Sequence, residues 1–538
     1  MNDIILHRMQ QNKNFNTLLP LIVSISIVLG MVMYKYLLGG YSTNSKKQFS
    51  PEKINVFLKQ LEANYVDTIS YDSLVESAIA PILEQLDPHS VYIPAVEREE
   101  SDEPLRGNFE GVGIQFNLRN DTVYVIQTIS SGPSEKVGIR GGDRIVKVDD
   151  SVVAGVGISN EKIMSKLKGP KGSKVKVTVV RPGVDKKIEF DITRDKIPIN
   201  SIDVAYMVTK DVGYVKIARF SLTTHREFMQ KVATLKQEGM RKLILDLRGN
   251  GGGVMQDAVR IADEFLPAGN IIVYTEGKAR PRFDYYASAQ GYLQNDEVVV
   301  LIDEWSASAS EILAGALQDN DRGTIIGRRS FGKGLVQEPF YFDDGSELRL
   351  TVARYYTPTG RSIQKPYDNE EDYAQDLIRR FERGEFTAED SIKHDESLKY
   401  TTPGGKTVYG GGGIMPDIFV PADTSQGSKF YAKVRQRGLD YQFSYDYADA
   451  NRDKLTKFKD AKKLEQYLDN ENIMNSFIEY AEKKGVTPTQ NDKTKRDKYL
   501  TKQVKALVIR NIFDDGGFYM IMNEIDPTFL KALEVVQK

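Results

Sequence analysis

The chain has 538 residues, of which 40% are hydrophobic and 28% charged, and a formal net charge of −2. That length suits about three globular domains, and the near-zero charge leaves no electrostatic footprint for a nucleic-acid partner. With no cysteine, the chain has no disulfide, no thiolate catalyst, no cysteine-based zinc site and no lipid-anchored cysteine.

Residues 1–17 are polar and carry Arg8 and Lys13, whereas Leu18 to Leu38 is almost wholly apolar, with Lys35 its only charge and Pro20 near its start. About 20 apolar residues span a bilayer, and no small-x-small cleavage site precedes Gly39-Gly40. The expectation is therefore an uncleaved, single-pass anchor rather than a removed signal peptide. Charge does not orient it, because Arg8 and Lys13 precede the span while Lys35, Lys46 and Lys47 follow it. Residues 51–95 read as two helices. Pro51 opens the first, with Ile54, Phe57, Leu58 and Leu61 at helical spacing; Leu74, Ala78, Ile82 and Leu86 line one face of the second. Pro88 ends that helix at Asp87, and His89 reads as a loop or capping residue rather than a ligand.

Gly111-Val112-Gly113-Ile114 opens a strand, Val123 to Ile126 and Val137 to Val146 follow, and a helix from Asn160 to Leu167 precedes a pair of strands. In this order of elements residues 107–195 resemble a PDZ domain. Such a domain works by strand addition: a peptide joins the sheet edge and its carboxylate takes N–H groups of the glycine loop. The resemblance implies that Gly111, Val112, Gly113 and Ile114 form that loop. Ile163 and Leu167 would face the pocket for the last side chain, and so imply apolar substrate C-termini.

Chemistry concentrates in residues 196–365. Lys242 to Leu247 is a buried strand, followed by Arg248-Gly249-Asn250-Gly251-Gly252-Gly253 and a helix from Val254 to Phe265. Glycines at a helix N-terminus expose N–H groups that suit an oxyanion or a phosphate, although no dinucleotide glycine spacing is present. Val298 to Ile302 is a second buried strand, and Ser306-Ala307-Ser308-Ala309-Ser310-Glu311 leads from it into the helix of Ile312 to Leu317. Strand, sharp turn, serine and helix expose a nucleophile and aim a helix N-terminus at developing negative charge. The serine needs a base. The four histidines (His7, His89, His225 and His394) are all distant in sequence, and Lys333, between Gly332 and Gly334, is the nearer candidate. A desolvated lysine can lose its proton near neutral pH, and Gln337 could then orient its amine. Gly327 to Lys333 fits a phosphate loop only up to its lysine, because Gly334 stands where Ser or Thr should hold a metal ion and a strand follows instead of a helix.

Ser306 to Ile312, Ala314 to Asp319, Phe331-Gly332-Lys333-Gly334 and Gln337 together resemble the carboxyl-terminal processing (tail-specific) proteases of peptidase family S41, over roughly residues 51–421. The resemblance implies that Ser308 is the nucleophile, Lys333 the general base and Gln337 the residue positioning the lysine. It further implies that Gly252 or Gly253 supplies the oxyanion hole together with the Ala309 N–H. A catalytic part outside the cytoplasm, on the periplasmic side of the cytoplasmic membrane, is also implied. Arg361 to Gln364 and Gly413 to Asp417 look like the family's closing strands, separated by a long charged insertion that reads as a solvated helical excursion. His225 reads as a surface residue.

The sequence thus predicts an α/β multidomain protein. Its parts are a cytoplasmic tail and transmembrane anchor (1–40), a helical region (41–100) and a PDZ β-domain (101–195), which precedes an α/β serine-protease core. That core, of the ClpP/crotonase-like kind the resemblance implies, spans 196–422 with an insertion at about 365–412. A helical C-terminal extension (423–538) follows, with Phe430, Tyr441, Phe443, Tyr467, Phe477 and Tyr480 as its apolar positions. The expected activity is PDZ-guided cleavage of proteins near their C-termini through an acyl-enzyme, with no metal or organic cofactor. The expected partners are peptide or protein substrates and the membrane, with a homo-oligomer or an adaptor protein left open. The competing reading is a membrane-anchored PDZ scaffold with an inert protease-like core; a Ser–His–Asp esterase would need His225 or His394 to reach Ser308.

Overall fold

The structure is a computed structural model that describes residues 20, 23–34, 52–368, 370–423, 428–489 and 498–538. The chain divides into two units, residues 1–79 and 80–538. In the first, residues 23–34 are helical and exposed, and α1 (Glu52–Asn64) buries none of its residues. Among the described residues no helix is long and apolar enough to cross a membrane. Apart from Pro20, the remainder of the 18–38 stretch lies outside the described residues, as do Arg8, Lys13, Lys46, Lys47 and Pro51. Helix α2 (Tyr71–Glu84) runs through the division between the units.

The second unit opens with a short strand, β1 (Val91–Ile93), and α3 (Ala95–Arg106), whose C-cap Gly107 takes the left-handed conformation at φ 73°. Strand β2 (Asn108–Gly111) then carries the chain into a domain of one helix-backed sheet. The sheet is built from β3 (Ile114–Arg119), β4 (Thr122–Thr128), β5 (Arg144–Val148), β6 (Ser151–Val152), β7 (Lys174–Val180) and β8 (Ile188–Thr193). Its order is β3-β4-β5-β7-β8, with β6 paired to β5, so β3 is an edge. Two helices belong to it: α4 (Pro133–Val137), and α5 (Asn160–Leu167), whose N-cap Ser159 accepts the Lys162 N–H. Alternation in β7 turns Val175, Val177 and Val179 inward against Ile163 and Leu167. The chain leaves through β9 (Asp195–Pro198), antiparallel to β2 from Asn108↔Pro198 to Gly111↔Asp195. Entry and exit lie side by side, so the domain sits on a two-stranded stalk.

The larger α/β core follows. Strands β10 (Ile202–Met207), β11 (Val212–Ile217) and, after helix α6 (Thr224–Gln237), β12 (Lys242–Asp246) begin its first sheet. Helix α7 (Met255–Asp263) precedes β13 (Ile271–Gly277) and β14 (Arg280–Tyr286); β15 (Glu297–Ile302), helix α8 (Ala309–Asp319) and β16 (Thr324–Gly327) come next. The sheet order is β10-β11-β12-β15-β16 and then Ile418–Phe419, parallel except at β10–β11. Near-continuous apolar runs such as Val298 to Ile302 are what a parallel sheet covered on both faces requires. Period-2 alternation sends Leu243, Leu245, Val298 and Val300 to the face covered by α6, α7 and α8, and Ile244, Val299 and Leu301 to the other. A second, antiparallel sheet joins β13 and β14 to β17 (Leu335–Tyr341), β18 (Glu347–Tyr356) and β1, with Val91 opposite Arg349.

The charged insertion is largely exposed and begins with two short helices, but a few of its residues pin it to the core. Tyr373 and Arg380 are buried, and Arg380 donates to the carbonyls of Arg329 (2.7 Å) and Ser330 (3.0 Å). Glu385 pairs with both Arg380 (2.8 Å) and Arg329 (2.7 Å), so opposite charges inside the stretch neutralise one another against the core. The extension from Lys429 onwards forms its own helical core around Phe430, Phe443 and Phe477, with Tyr467 and Tyr480 packed on it; Tyr441 instead stays half exposed. It grips the first domain's sheet through Arg144–Asp449 (2.6 Å), a bidentate Arg119–Asp446 pair and the edge-on rings of Tyr124 and Tyr445. Its last helix, α9 (Pro527–Gln537), buries Phe529, Ala532 and Val536 against Tyr214, Ile244 and Leu301, covering the face that the other helices leave open.

Candidate active site

Two loops leave the carboxyl ends of neighbouring parallel strands and meet, which is where open α/β sheets form their crevices. The first runs from β12 through Arg248 to Gly253 into α7; the second runs from β15 through Ser308 into α8. Asn250 laces them together. Its carbonyl accepts the Ala307 N–H (3.0 Å) and the Ser310 hydroxyl (2.9 Å), while its amide donates to the Ile217 carbonyl (2.9 Å).

Ser308 sits at φ 55° and ψ −114°, a conformation that costs an ordinary residue on the order of 1–3 kcal/mol. Glu311 is the principal restraint that holds it there. Its fully buried carboxylate accepts four donors: the N–H groups of Ser308 (2.8 Å), Gly332 (2.7 Å) and Lys333 (2.9 Å), and the Ser330 hydroxyl (2.5 Å). Burial raises the Glu311 pKa, those four donors oppose it, and the balance lies at about 7. Tyr355 spans the same two segments from the other side, its hydroxyl lying 3.1 Å from the Ser308 carbonyl and 2.6 Å from that of Lys333.

Lys333 enters on a loop whose flanking glycines pack against backbone. A Cβ at Gly332 would lie 3.1 Å from the Gly413 nitrogen, and one at Gly334 3.0 Å from that of Gln364. The Lys333 amine donates to Gln337 Oε1 (3.1 Å), and the Gln337 amide donates in turn to the His89 carbonyl. Burial holds the amine below its ordinary pKa, with Asp87 and Glu311 pulling the other way. The turn bearing His89 is fixed by Asp87, which accepts the N–H groups of His89 (2.8 Å) and Ser90 (2.9 Å). The His89 ring meets the Tyr373 hydroxyl at 2.6 Å, and burial together with the Lys333 charge lowers its pKa to about 4.

Ser308, Lys333, Gln337 and Gly251 to Gly253 line one cleft of about 1070 Å³, whose walls include Leu222, Met255, Phe283 and Leu335. A Cβ on Gly252 would stand 2.7 Å from Ser308 Cβ and 3.0 Å from the Ala309 nitrogen, so the glycine permits the two loops to close. Its own N–H, expected to face an oxyanion, is instead given to Asn250 Oδ1 (2.9 Å). The N–H groups of Gly251 and Gly253 have no acceptor among the described residues, nor does that of Ala309, which lies in the first helical turn, where N–H groups lack helical partners. His225 and His394 line no part of this cleft; His225 pairs with Glu264 (2.8 Å) and His394 with Glu396 (3.2 Å). Asn250, Glu311, Tyr355 and the His89 carbonyl escaped sequence reasoning. Glu311 alone had a signal there, three residues into a helix after a serine, which is the spacing of a capping box.

The peptide-binding residues fall differently. The carbonyls of Val112 and Gly113 accept the N–H groups of Ser134 and Ile129 (3.0 Å each), and Gly111 pairs with Asp195 and Lys168. Ile114 begins β3 and packs on the domain core. Ile163 and Leu167, expected to face a pocket, are only 0% and 4% exposed and belong to that core.

Residues 211–373 match the peptidase family S41, residues 111–192 a PDZ domain, and residues 430–514 a family of unknown function. A carboxy-terminal-processing protease of Bartonella bacilliformis is 36% identical over 342 residues, covering 62% of this chain and 76% of that protein. The carboxy-terminal processing protease CtpA of Bacillus subtilis is 33% identical over 350 residues, covering 64% and 74%. Among solved structures, a photosystem II D1 C-terminal processing protease matches at 27% identity and a TM-score of 0.35, over 69% of this chain and 94% of that one. The chain belongs to peptidase family S41, as a serine-type peptidase related to the carboxy-terminal processing proteases.

Proposed function

We propose that the chain is an endopeptidase that takes a protein's C-terminus in its PDZ domain and cuts near that end, using Ser308 and Lys333. The observation that carries this reading is the convergence in one cleft of Ser308, the Gln337-bound Lys333 amine and the glycine loop. The neutral Lys333 amine takes the Ser308 Oγ proton as the Oγ–carbonyl bond forms. The oxyanion lies between the N–H groups of Gly253 and Ala309, an arrangement worth about 2.7–4 kcal/mol per donor in the transition state. As the C–N bond breaks, the Lys333 ammonium returns the proton to the departing amine and an ester remains on Ser308. Water then gives a proton to Lys333 and attacks the ester, and as the Oγ–carbonyl bond breaks the Lys333 ammonium returns that proton to Ser308 Oγ, freeing the acid and the serine. Gln337, steered by the His89 carbonyl, holds the lysine amine in the cleft that Ser308 also lines.

Strand β3 supports PDZ guidance because it is the edge of its sheet, with β4 as its one partner among the described strands. The substrate carboxylate would take N–H groups of Gly111 to Ile114, and entry of the last side chain requires α5 to carry Ile163 and Leu167 outward from the domain core. The reading also includes anchoring through residues 18–38 and an extracytoplasmic catalytic part. Recovery of the full chain with membranes, and loss of that recovery on deletion of residues 1–40, tests this.

The test of guidance is digestion of an unfolded protein ending in apolar residues, beside the same protein ending in charged ones. Faster cleavage with the apolar tail, and none by Ser308→Ala, is the expected result. Equal rates on both tails would refute guidance, and undiminished cleavage by Ser308→Ala would refute the nucleophile.

A further inference from the structure

Four of the six residues from Arg248 to Gly253 are glycines, so the loop has only the side chains of Arg248 and Asn250 with which to fix its backbone. Asn250 is bonded inside the protease core, as described above. Arg248 is held from two sides. Its Nε and Nη2 donate to Asp246 (3.0 and 2.7 Å), and its Nη1 donates to Asp526 Oδ2 (2.7 Å), a residue that lies beyond all three matched segments of the chain. The Arg248 N–H also bonds Asp246 Oδ1 (2.9 Å), and its carbonyl accepts the Lys216 amine (2.8 Å). Arg248, Lys216, Asp246 and Asp526 make a quartet of zero net charge at the start of the loop. Burial alone would raise the Asp246 pKa, but Arg248 and Lys216 hold it well below the usual carboxylate range.

Asp526 divides its two oxygens between two tasks. Oδ1 caps α9 by accepting the N–H groups of Thr528 (2.9 Å) and Phe529 (3.0 Å), while Oδ2 faces Arg248. The helix so capped is pressed on the sheet by Phe529, whose ring meets that of Tyr214 edge-on at 5.4 Å, and Tyr214 in turn donates to Asp246 (2.7 Å). Its far end is tied down where Lys242 donates to the Val536 carbonyl (2.5 Å). Asp526 thus stands on a rigid, twice-anchored helix, and without it the quartet is left with an uncompensated positive charge at the root of the glycine loop.

We propose that Asp526 is a positioning residue for the oxyanion loop: from the C-terminal extension it fixes Arg248, and through Arg248 the backbone that presents the Gly253 N–H. The inference rests on the protease reading above and deepens it. It also gives the end of the extension a catalytic consequence without any contact with substrate.

The test uses the full chain with Asp526→Ser and Asp526→Asn, both of which keep a good helix N-cap. The first readout, hydrogen exchange at Gly249 to Gly253, does not depend on activity; the second is kcat and KM on a fluorogenic peptide ending in apolar residues. Expected are exchange about tenfold faster in the loop but unchanged in β12 and β15, kcat about tenfold lower, and KM within about twofold, since the donor acts in the transition state. Lys242→Met, which frees the other end of α9, should lower the melting temperature while leaving loop exchange and kcat unchanged. Unchanged loop exchange in Asp526→Ser would overturn the inference, as would faster exchange throughout the sheet, or faster loop exchange without loss of kcat. A wild-type chain that cleaves nothing would instead overturn the protease reading, while the exchange comparison would still decide whether Asp526 fixes the loop.

Discussion

Glu311→Gln tests how the nucleophile is held. The wild-type carboxylate accepts four donors, whereas glutamine offers one acceptor oxygen and an NH2 that must itself donate. In the less costly orientation the amide nitrogen faces Ser330 Oγ, which can turn to accept it, and the Gly332 N–H is left unpaired. A lost hydrogen bond to a charged group costs about 1.5–3 kcal/mol, so this orientation loses about that much. The other orientation strips both Ser308 and Lys333, at roughly twice the cost, and kcat falls by about tenfold or more in either case. The substitution also leaves a pH signature. Glu311 titrates at about 7 in the folded chain against an ordinary 4.5, because burial raises it. Between those values the folded chain keeps a proton that the unfolded chain has lost. This contribution to stability is therefore full below pH 4.5 and fades as pH rises through 7, by roughly 3 kcal/mol. His89, lowered to about 4 by burial and by Lys333, acts in the opposite sense, its contribution being lost as pH falls from 6.5 towards 4. The difference between parent and variant removes the His89 part. Thermal melting at pH 5, 6, 7 and 8 in a Ser308→Ala background, where autolysis cannot intrude, should show a deficit for Glu311→Gln that shrinks as pH rises. A deficit independent of pH, combined with full activity of Glu311→Gln in the otherwise wild-type chain, would refute the role assigned to Glu311.

Two further outcomes follow from the same geometry. Activity should rise with pH along a limb set by Lys333, and that limb should lie below the lysine's ordinary 10.5 because burial disfavours its charge. Asp87→Asn keeps the acceptor for the His89 and Ser90 N–H groups but removes a charge that raises the Lys333 pKa, so a kcat/KM profile should show the limb displaced to lower pH; displacement upwards would contradict the assignment. Gly253→Ala would drive a Cβ into the Phe220 carbonyl at a φ of 132°, and should destroy activity and lower the melting temperature. Gly251→Ala meets nothing within 4 Å and should melt within a few degrees of the parent; equal melting of the two variants would contradict the loop geometry.

The candidates Ser308, Lys333 and Gln337 were legible because each sits in a local backbone signal, and the family resemblance chose among the readings those signals left open. Ser308 stands at a strand-to-helix turn, Lys333 between glycines and Gln337 on the strand after it, and each signal is readable within a few residues. What holds these groups was not legible. Glu311 works by accepting from a loop some 20 positions away, and His89 through a carbonyl that any residue could provide. Gly252 and Gly253 are indistinguishable in sequence, and only the Asn250 side chain separates the bonded N–H from the other. In the PDZ domain the resemblance implied that Ile163 and Leu167 face a pocket, but it does not say whether that space is open or, as here, filled by the domain core. Most of the insertion is exposed, as its charges suggested, but counting those charges singly hid that Arg380 and Glu385 are buried together, with Arg329 paired to Glu385 beside them. The extension showed helices with apolar faces, and nothing in Phe529, Ala532 and Val536 says which surface they cover.

The most direct test of the central claim is the rate at which an unfolded protein is cut by the wild type and by Lys333→Ala under identical conditions, with Ser308→Ala as the zero. The account predicts that Lys333→Ala retains the wild-type melting behaviour and loses cleavage by about 10³-fold or more, close to the Ser308→Ala floor, because nucleophile and base act as a unit. Lys333→Ala cleaving at the wild-type rate, while Ser308→Ala does not, would leave the serine without its proposed base and contradict the account.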